Sequence, residues 1–151
     1  QIYESLRVVV YRFSARLDDN VEELDDPWVT LVNPVLTPVG DEMVSGWERC
    51  LSIPGLHGKV PRHKSLTMTY QDLSRTEITV EASGALATLL QHECDHLDGI
   101  LYPMQMPDIS KLEFNTEPGH LAQDIADGVK VWPVLRDLVD AWPARELWFK
   151  G

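Results

Sequence analysis

The chain has 151 residues, 44% hydrophobic and 25% charged, the proportions of one ordinary globular domain with its own core. Its formal net charge of −11 and pI near 4.7 argue against a nucleic-acid binder, which needs a basic footprint. No apolar run approaches the ~18 residues that cross a bilayer. Residues 1–13 lack the basic start and cleavage site of a signal peptide, and two cysteines are too few for a disulfide scaffold, so cytosol is the expected compartment.

In chain order, residues 6–13 read as a buried strand. Gln1 is not a Met and stands only a few residues before that strand, so a segment upstream of it is expected. Residues 18–26 are acidic and read as a solvated loop. Trp28-Val29-Thr30-Leu31-Val32 is a second strand closed by Asn33-Pro34, and residues 35–45, with Pro38 and Gly40, suggest a hairpin. Residues 59–62 form a short extended piece. Residues 65–70 and 76–81 alternate apolar and polar with period two, and the turn at 72–75 makes them an antiparallel hairpin.

The apolar run 85–97 is a helix, with Leu86, Leu89, Leu90 and Leu97 among alanines, Ser83 at its N-cap and Gly99 as its stop. Beyond Met106-Pro107 the pattern loosens. Short helices are expected at 120–129 and 133–141, the latter opened by Pro133, with Trp132, Trp142, Trp148 and Phe149 anchoring this tail. The fold class is therefore α+β: antiparallel β-strands packed around a central helix, then a variable tail. One domain covers 1–151, with its core in 1–106 and its tail in 107–151.

Near the end of that helix stands Gln91-His92-Glu93-Cys94-Asp95-His96. Residues four apart on a helix share a face, so His92 and His96 stack with both imidazoles pointing the same way. Two neutral imidazoles in that arrangement can grip one metal ion, with Glu93 one residue round to act on a water there. The apolar turn before the motif directs it towards a core, where histidines need a reason to be. A catalytic site of this kind takes a third protein ligand. Cys50 is one candidate; Glu113, Glu117 and His120 downstream are others.

Cys50-Leu51-Ser52-Ile53-Pro54, followed about forty residues later by Gln91-His92-Glu93, Asp95-His96-Leu97 and Gly99, resembles the peptide deformylases. That family carries a glycine-rich segment ending in Gln, then Glu-Gly-Cys-Leu-Ser, then a Gln-His-Glu-x-Asp-His segment. Here Glu48 to Ser52 match the second, with Arg49 where Gly is usual. Of the first motif only its terminal Gln remains, at Gln1, so the resemblance covers roughly residues 1–106.

The resemblance implies removal of the formyl group from N-terminal formyl-methionine, giving formate and a free amine. Cys50, as thiolate, with His92 and His96 would hold one divalent cation, natively iron(II), with nickel, cobalt or zinc able to occupy the site. Glu93 would be the base and then the acid, and the Leu51 N–H and the Gln1 amide would stabilise the developing oxyanion. Thr88 and Leu89, one turn before His92, would line the methionine pocket with Leu51 and Tyr102.

Expected partners are formyl-methionyl nascent peptides and the ribosome exit region, with no nucleic acid or membrane, in cytoplasm or an organelle. Cys94 lies between the ligand positions and reads as a small buried apolar residue, and His57, His63 and His120 as surface or loop histidines. Two rivals remain: a His-Glu-x-x-His metalloprotease, and a metal-binding domain without activity, supported by the missing first motif.

Overall fold

A computed structural model describes residues 5–12 and 28–142, so Gln1, the acidic stretch 18–26, Trp148 and Phe149 lie outside the described residues. The elements in chain order are β1 Val8–Tyr11, β2 Val29–Pro38, β3 Met43–Cys50, β4 Ile53–His63, β5 Ser65–Gln71, β6 Glu77–Ser83, α1 Gly84–Leu97, β7 Leu112–Phe114, α2 Gly119–Ala126 and α3 Pro133–Asp140. Single 3₁₀ turns lie at Tyr102–Gln105 and Ile109–Lys111. Antiparallel sheets with three helices make the class α+β. No helix among the described residues is long and apolar enough to cross a membrane.

The described residues fall into two compact units. The first takes residues 5–12, 28–44 and 61–101 and holds an antiparallel sheet in the order β1-β2-β5-β6. β5 and β6 form the expected hairpin, with Met68 opposite Val80. At its turn the Asp72 carboxylate accepts from the Ser74 and Thr76 N–H groups at 2.8 and 2.9 Å.

Asn33-Pro34 does not close the second strand. The β2–β5 register shifts between Val32 and Val35, and β2 runs on to Pro38. Asn33 sits at φ 51°, with its N–H donating to the Arg7 carbonyl at 2.8 Å. A bulge takes the missing N–H of Pro34 out of the ladder, which is how a proline survives inside a sheet. The hairpin expected at 35–45 is accordingly absent, because β2 pairs with β1 and β5 and β3 belongs to another sheet.

α1 covers this sheet. Ala87, Leu90 and Cys94, at helical spacing, join Val9, Leu31, Leu66, Met68 and Ala82 in one buried cluster, with Leu86 and Leu97 packed against it. Ser83 is the N-cap by position but makes no side-chain cap bond. Gly99, at φ 72°, follows the Asp98 cap and stops the helix through a left-handed step that residues with a Cβ resist.

The second unit takes residues 45–60 and 102–142. Leu56, His57 and Gly58 of β4 pair with Phe114, Glu113 and Leu112 of β7. Trp47 of β3 is buried with Leu121 and Ala122 of α2 and Leu135 and Val139 of α3, and Trp132 and Trp142 pack against them. The segment beyond residue 107 therefore shares a core with the strand that ends in Cys50. α2 is shorter than expected, because Gly128 at φ 87° ends the turn after Ala126.

His57 is not a surface histidine. It is fully buried in β4, with Nδ1 at 3.0 Å from Asn115 Oδ1 and Nε2 at 3.2 Å from Glu113 Oε2. Glu113 also caps α2, whose own N-cap, Pro118, has no side-chain acceptor to offer. Its carboxylate accepts from the His120 and Leu121 N–H groups at 2.7 and 3.2 Å, and His120 Nδ1 lies 2.9 Å away. Burial pushes the Glu113 pKa up, but the bonds from His57, His120 and Leu121 outweigh it and hold the group below its ordinary value.

A depressed carboxylate stabilises the fold above its unfolded pKa and loses that contribution as pH falls through the folded one. Glu113→Gln should therefore cost about 1–3 kcal/mol at neutral pH. It should also flatten the acid limb of stability, read as urea midpoints between pH 6 and pH 3. An unchanged acid limb would refute this assignment.

Candidate metal centre

Helical periodicity gives α1 two working faces. Ala87, Leu90 and Cys94 go to the sheet, which leaves Thr88, His92 and His96 round the other side with Leu89 beside them. The His92 and His96 rings sit edge to face, their centroids 5.0 Å apart. His92 is buried and His96 half-buried. Burial, then the neighbouring charge of His92, lower the His96 pKa, which favours the neutral imidazole that can donate a lone pair. Glu93 is half-buried and follows His92 round the helix.

Cys50 is the last residue of β3 and forms no disulfide among the described residues, and the Ser52 N–H approaches its Sγ at 3.4 Å. Cys50, His92 and His96 are a group of three whose donor atoms, one thiol sulfur and two ring nitrogens, could hold a metal ion. This is the one such group of three among the described residues. The downstream alternatives are not in it. Glu113 is engaged with His57 and with His120, as described above.

Sulfur with two imidazoles suits a cation site that keeps one of four tetrahedral positions open. The residues present fit such an ion.

Two long-range attachments hold the motif segment of α1, and no sequence pattern announces either of them. The Gln91 amide takes both sides of the His63 backbone, accepting from its N–H and donating to its carbonyl, each at 2.9 Å. Arg62, 4% exposed, donates to Asp95 Oδ2 at 2.6 Å. These bonds clamp the helix one residue before His92 and one before His96.

The other expected residues are placed as follows. Thr88 and Leu89 are half-buried on α1, one turn before His92. Leu51 is 93% exposed in the turn after β3. Tyr102 is a core residue whose phenol burial pushes up to about 12, with a smaller push from Cys50. It lies against Gly58, where a Cβ would come within 2.9 Å of its ring and 2.6 Å of the Met106 sulfur. Cys94 is buried in the core of the first unit, and burial raises its thiol to about 11, so it is an inert packing residue.

The family model described as polypeptide deformylase matches residues 1–112. The chain is 43% identical over 129 residues to peptide deformylase 1 of Nitrosomonas europaea, covering 84% of this chain and 71% of that one. It is 44% identical over 114 residues to peptide deformylase 2 of Ralstonia nicotianae, covering 76% and 64%. Among solved structures it is similar to the Met-Ala-Ser-bound class I type b peptide deformylase of Acinetobacter baumannii, at TM-score 0.56 and 32% identity. That match covers 66% of this chain and 62% of the other. The chain thus spans roughly two thirds of the length of these proteins.

Proposed function

The chain belongs to the polypeptide deformylase family, and from that premise we propose that it removes the N-formyl group from formyl-methionyl peptides, releasing formate. The family is metal-dependent. The observation that carries the reading for this chain is the Cys50, His92 and His96 donor set with Glu93 beside it. A bound divalent cation would lower the pKa of a water and polarise the formyl carbonyl.

The rest is done by this chain. Cys50 as thiolate and the two neutral imidazoles would hold the ion. Glu93 would take a proton from the attacking water at its carboxylate and deliver it to the leaving amine, so one group is base and then acid. The Leu51 N–H and the Gln1 amide donate to the formyl oxygen as it gains charge. Thr88 and Leu89, on the histidine side of α1, would line the methionine side chain. The Met-Ala-Ser peptide on the Acinetobacter relative supports an N-terminal methionine as the element recognised.

Iron(II) is the native ion in this reading, and nickel, cobalt or zinc substitute for it. The substrates are nascent chains, met in the cytoplasm near the ribosome exit. A net charge of −11 means that docking there would use protein contacts rather than a broad basic face.

The test is formate release from formyl-Met-Ala-Ser, without oxygen, by protein stripped with chelator and then reloaded with iron(II) or nickel(II). Release that disappears on stripping and returns on reloading supports the reading. A loaded protein that cleaves internal peptide bonds but frees no formate would overturn it in favour of a protease.

A further inference from the structure

Successive side chains of a strand point to opposite faces, so Trp47 and Arg49 share one face of β3 and Glu48 and Cys50 the other. The Trp47 face is the one that α2 and α3 cover. The indole is buried against Leu121, Ala122, Leu135 and Val139, and Arg49 Nη1 donates to the Val134 carbonyl at 3.4 Å. The polar edge of the indole is held as well. Its Nε1 donates to Asp124 Oδ2 at 2.8 Å, and Lys59 Nζ of β4 donates to the same oxygen at 2.6 Å.

One carboxylate oxygen on α2 therefore ties together β3 and β4 within the second unit. Trp47 stands three residues, about 10 Å of strand, before Cys50. Burial raises the Asp124 pKa, but the Lys59 and Trp47 bonds outweigh it and favour the charged form that both donors need. Asp124 also lies beyond residue 112, where the family match ends.

We propose that Asp124 is a positioning residue for the ligand thiol: through Trp47 and Lys59 it seats the end of β3 on the C-terminal helices and presents Cys50 for the cation. The inference rests on the reading of Cys50 as a ligand. A strand end already seated loses little freedom when the ion binds, whereas a loosened one must be ordered at that moment. Groups that orient a metal ligand are worth about 10–100-fold in metal affinity. Arg49 fits the same arrangement, since its side chain reaches from the ligand strand to the start of α3.

The experiment is a cobalt(II) titration of the apo-protein, reading affinity by chelator competition and the sulfur-to-cobalt absorption band. Asp124→Ala should weaken cobalt binding by about 10–100-fold and shift the band. Asp124→Asn, which keeps an acceptor for Trp47, should fall between it and the unmodified protein. Trp47→Phe keeps the ring and loses only the Nε1 donor, so it serves if Asp124→Ala does not fold, and it too should weaken binding.

A purely structural role would lower the melting temperature of the apo-protein and leave affinity and band unchanged, and that result overturns the proposal. So does an equal loss of affinity from Asp124→Ala in a Cys50→Ser background, because the effect would then not pass through the thiol. If Cys50→Ser alone alters neither affinity nor band, the ligand reading is what falls.

Discussion

Glu93→Gln abolishes most formate release, by about 10²–10⁴-fold in kcat, while cation content stays near one per chain. The substitution keeps the shape of the side chain and removes only its capacity to take and return a proton. His92 and His96 are untouched, and their mutual geometry is set by α1, whose sheet-facing residues do not include position 93. A loss confined to kcat is the signature of an interaction made in the transition state rather than in substrate binding. Metal content by elemental analysis and kcat at saturating peptide decide the matter together. Full activity in a metal-replete variant would mean that another group moves the proton. Loss of the metal itself would mean that Glu93 supports the ion.

The second large effect falls on stability. Arg62 and Asp95 are 4% and 19% exposed and 2.6 Å apart. Asp95→Ala takes one charged partner away from a guanidinium that stays buried, a change that costs about 3–5 kcal/mol. At about 2–4 °C per kcal/mol for a chain of this size, the melting temperature should drop by about 6–20 °C. The double variant Arg62→Met with Asp95→Leu should recover much of the loss, since apolar groups of similar volume need no partner. A double variant as unstable as Asp95→Ala would show that the site requires charge for another reason. Asp95 sits directly before His96, so the single variant should also weaken cation binding, while Glu93→Gln should not.

These two outcomes separate the chemistry of the motif from its support. His92, Glu93 and His96 lie on one turn and a half of α1, and a helix alone suffices to bring them near each other. Their support is non-local. Gln91 holds the backbone of His63 and Asp95 holds Arg62, and each pairing closes about thirty residues of intervening chain.

What the sequence determined by itself follows from short-range physics. The period-two alternation of 65–70 and 76–81 specified the β5–β6 hairpin, and the apolar helix formers of 85–97 specified α1 with its two-histidine face. The family was already readable from Glu48 to Ser52 and Gln91 to Gly99, and the match over residues 1–112 agrees. Spacing along one element is a local property, and propensity and periodicity report it directly.

The tertiary structure decided what local pattern cannot carry. Asn33-Pro34 carries the signature of a strand end, yet pairing with β5 on the far side of the bulge carries β2 past it. His57 has no motif around it and would be costly to bury alone; Glu113 and Asn115, more than fifty residues away, supply its partners. Residues 107–142 read as a loose appendage, because neither α2 nor α3 buries its apolar face until Trp47 arrives from β3. Burial and polar satisfaction depend on which distant residues meet, and only the folded chain brings those residues together.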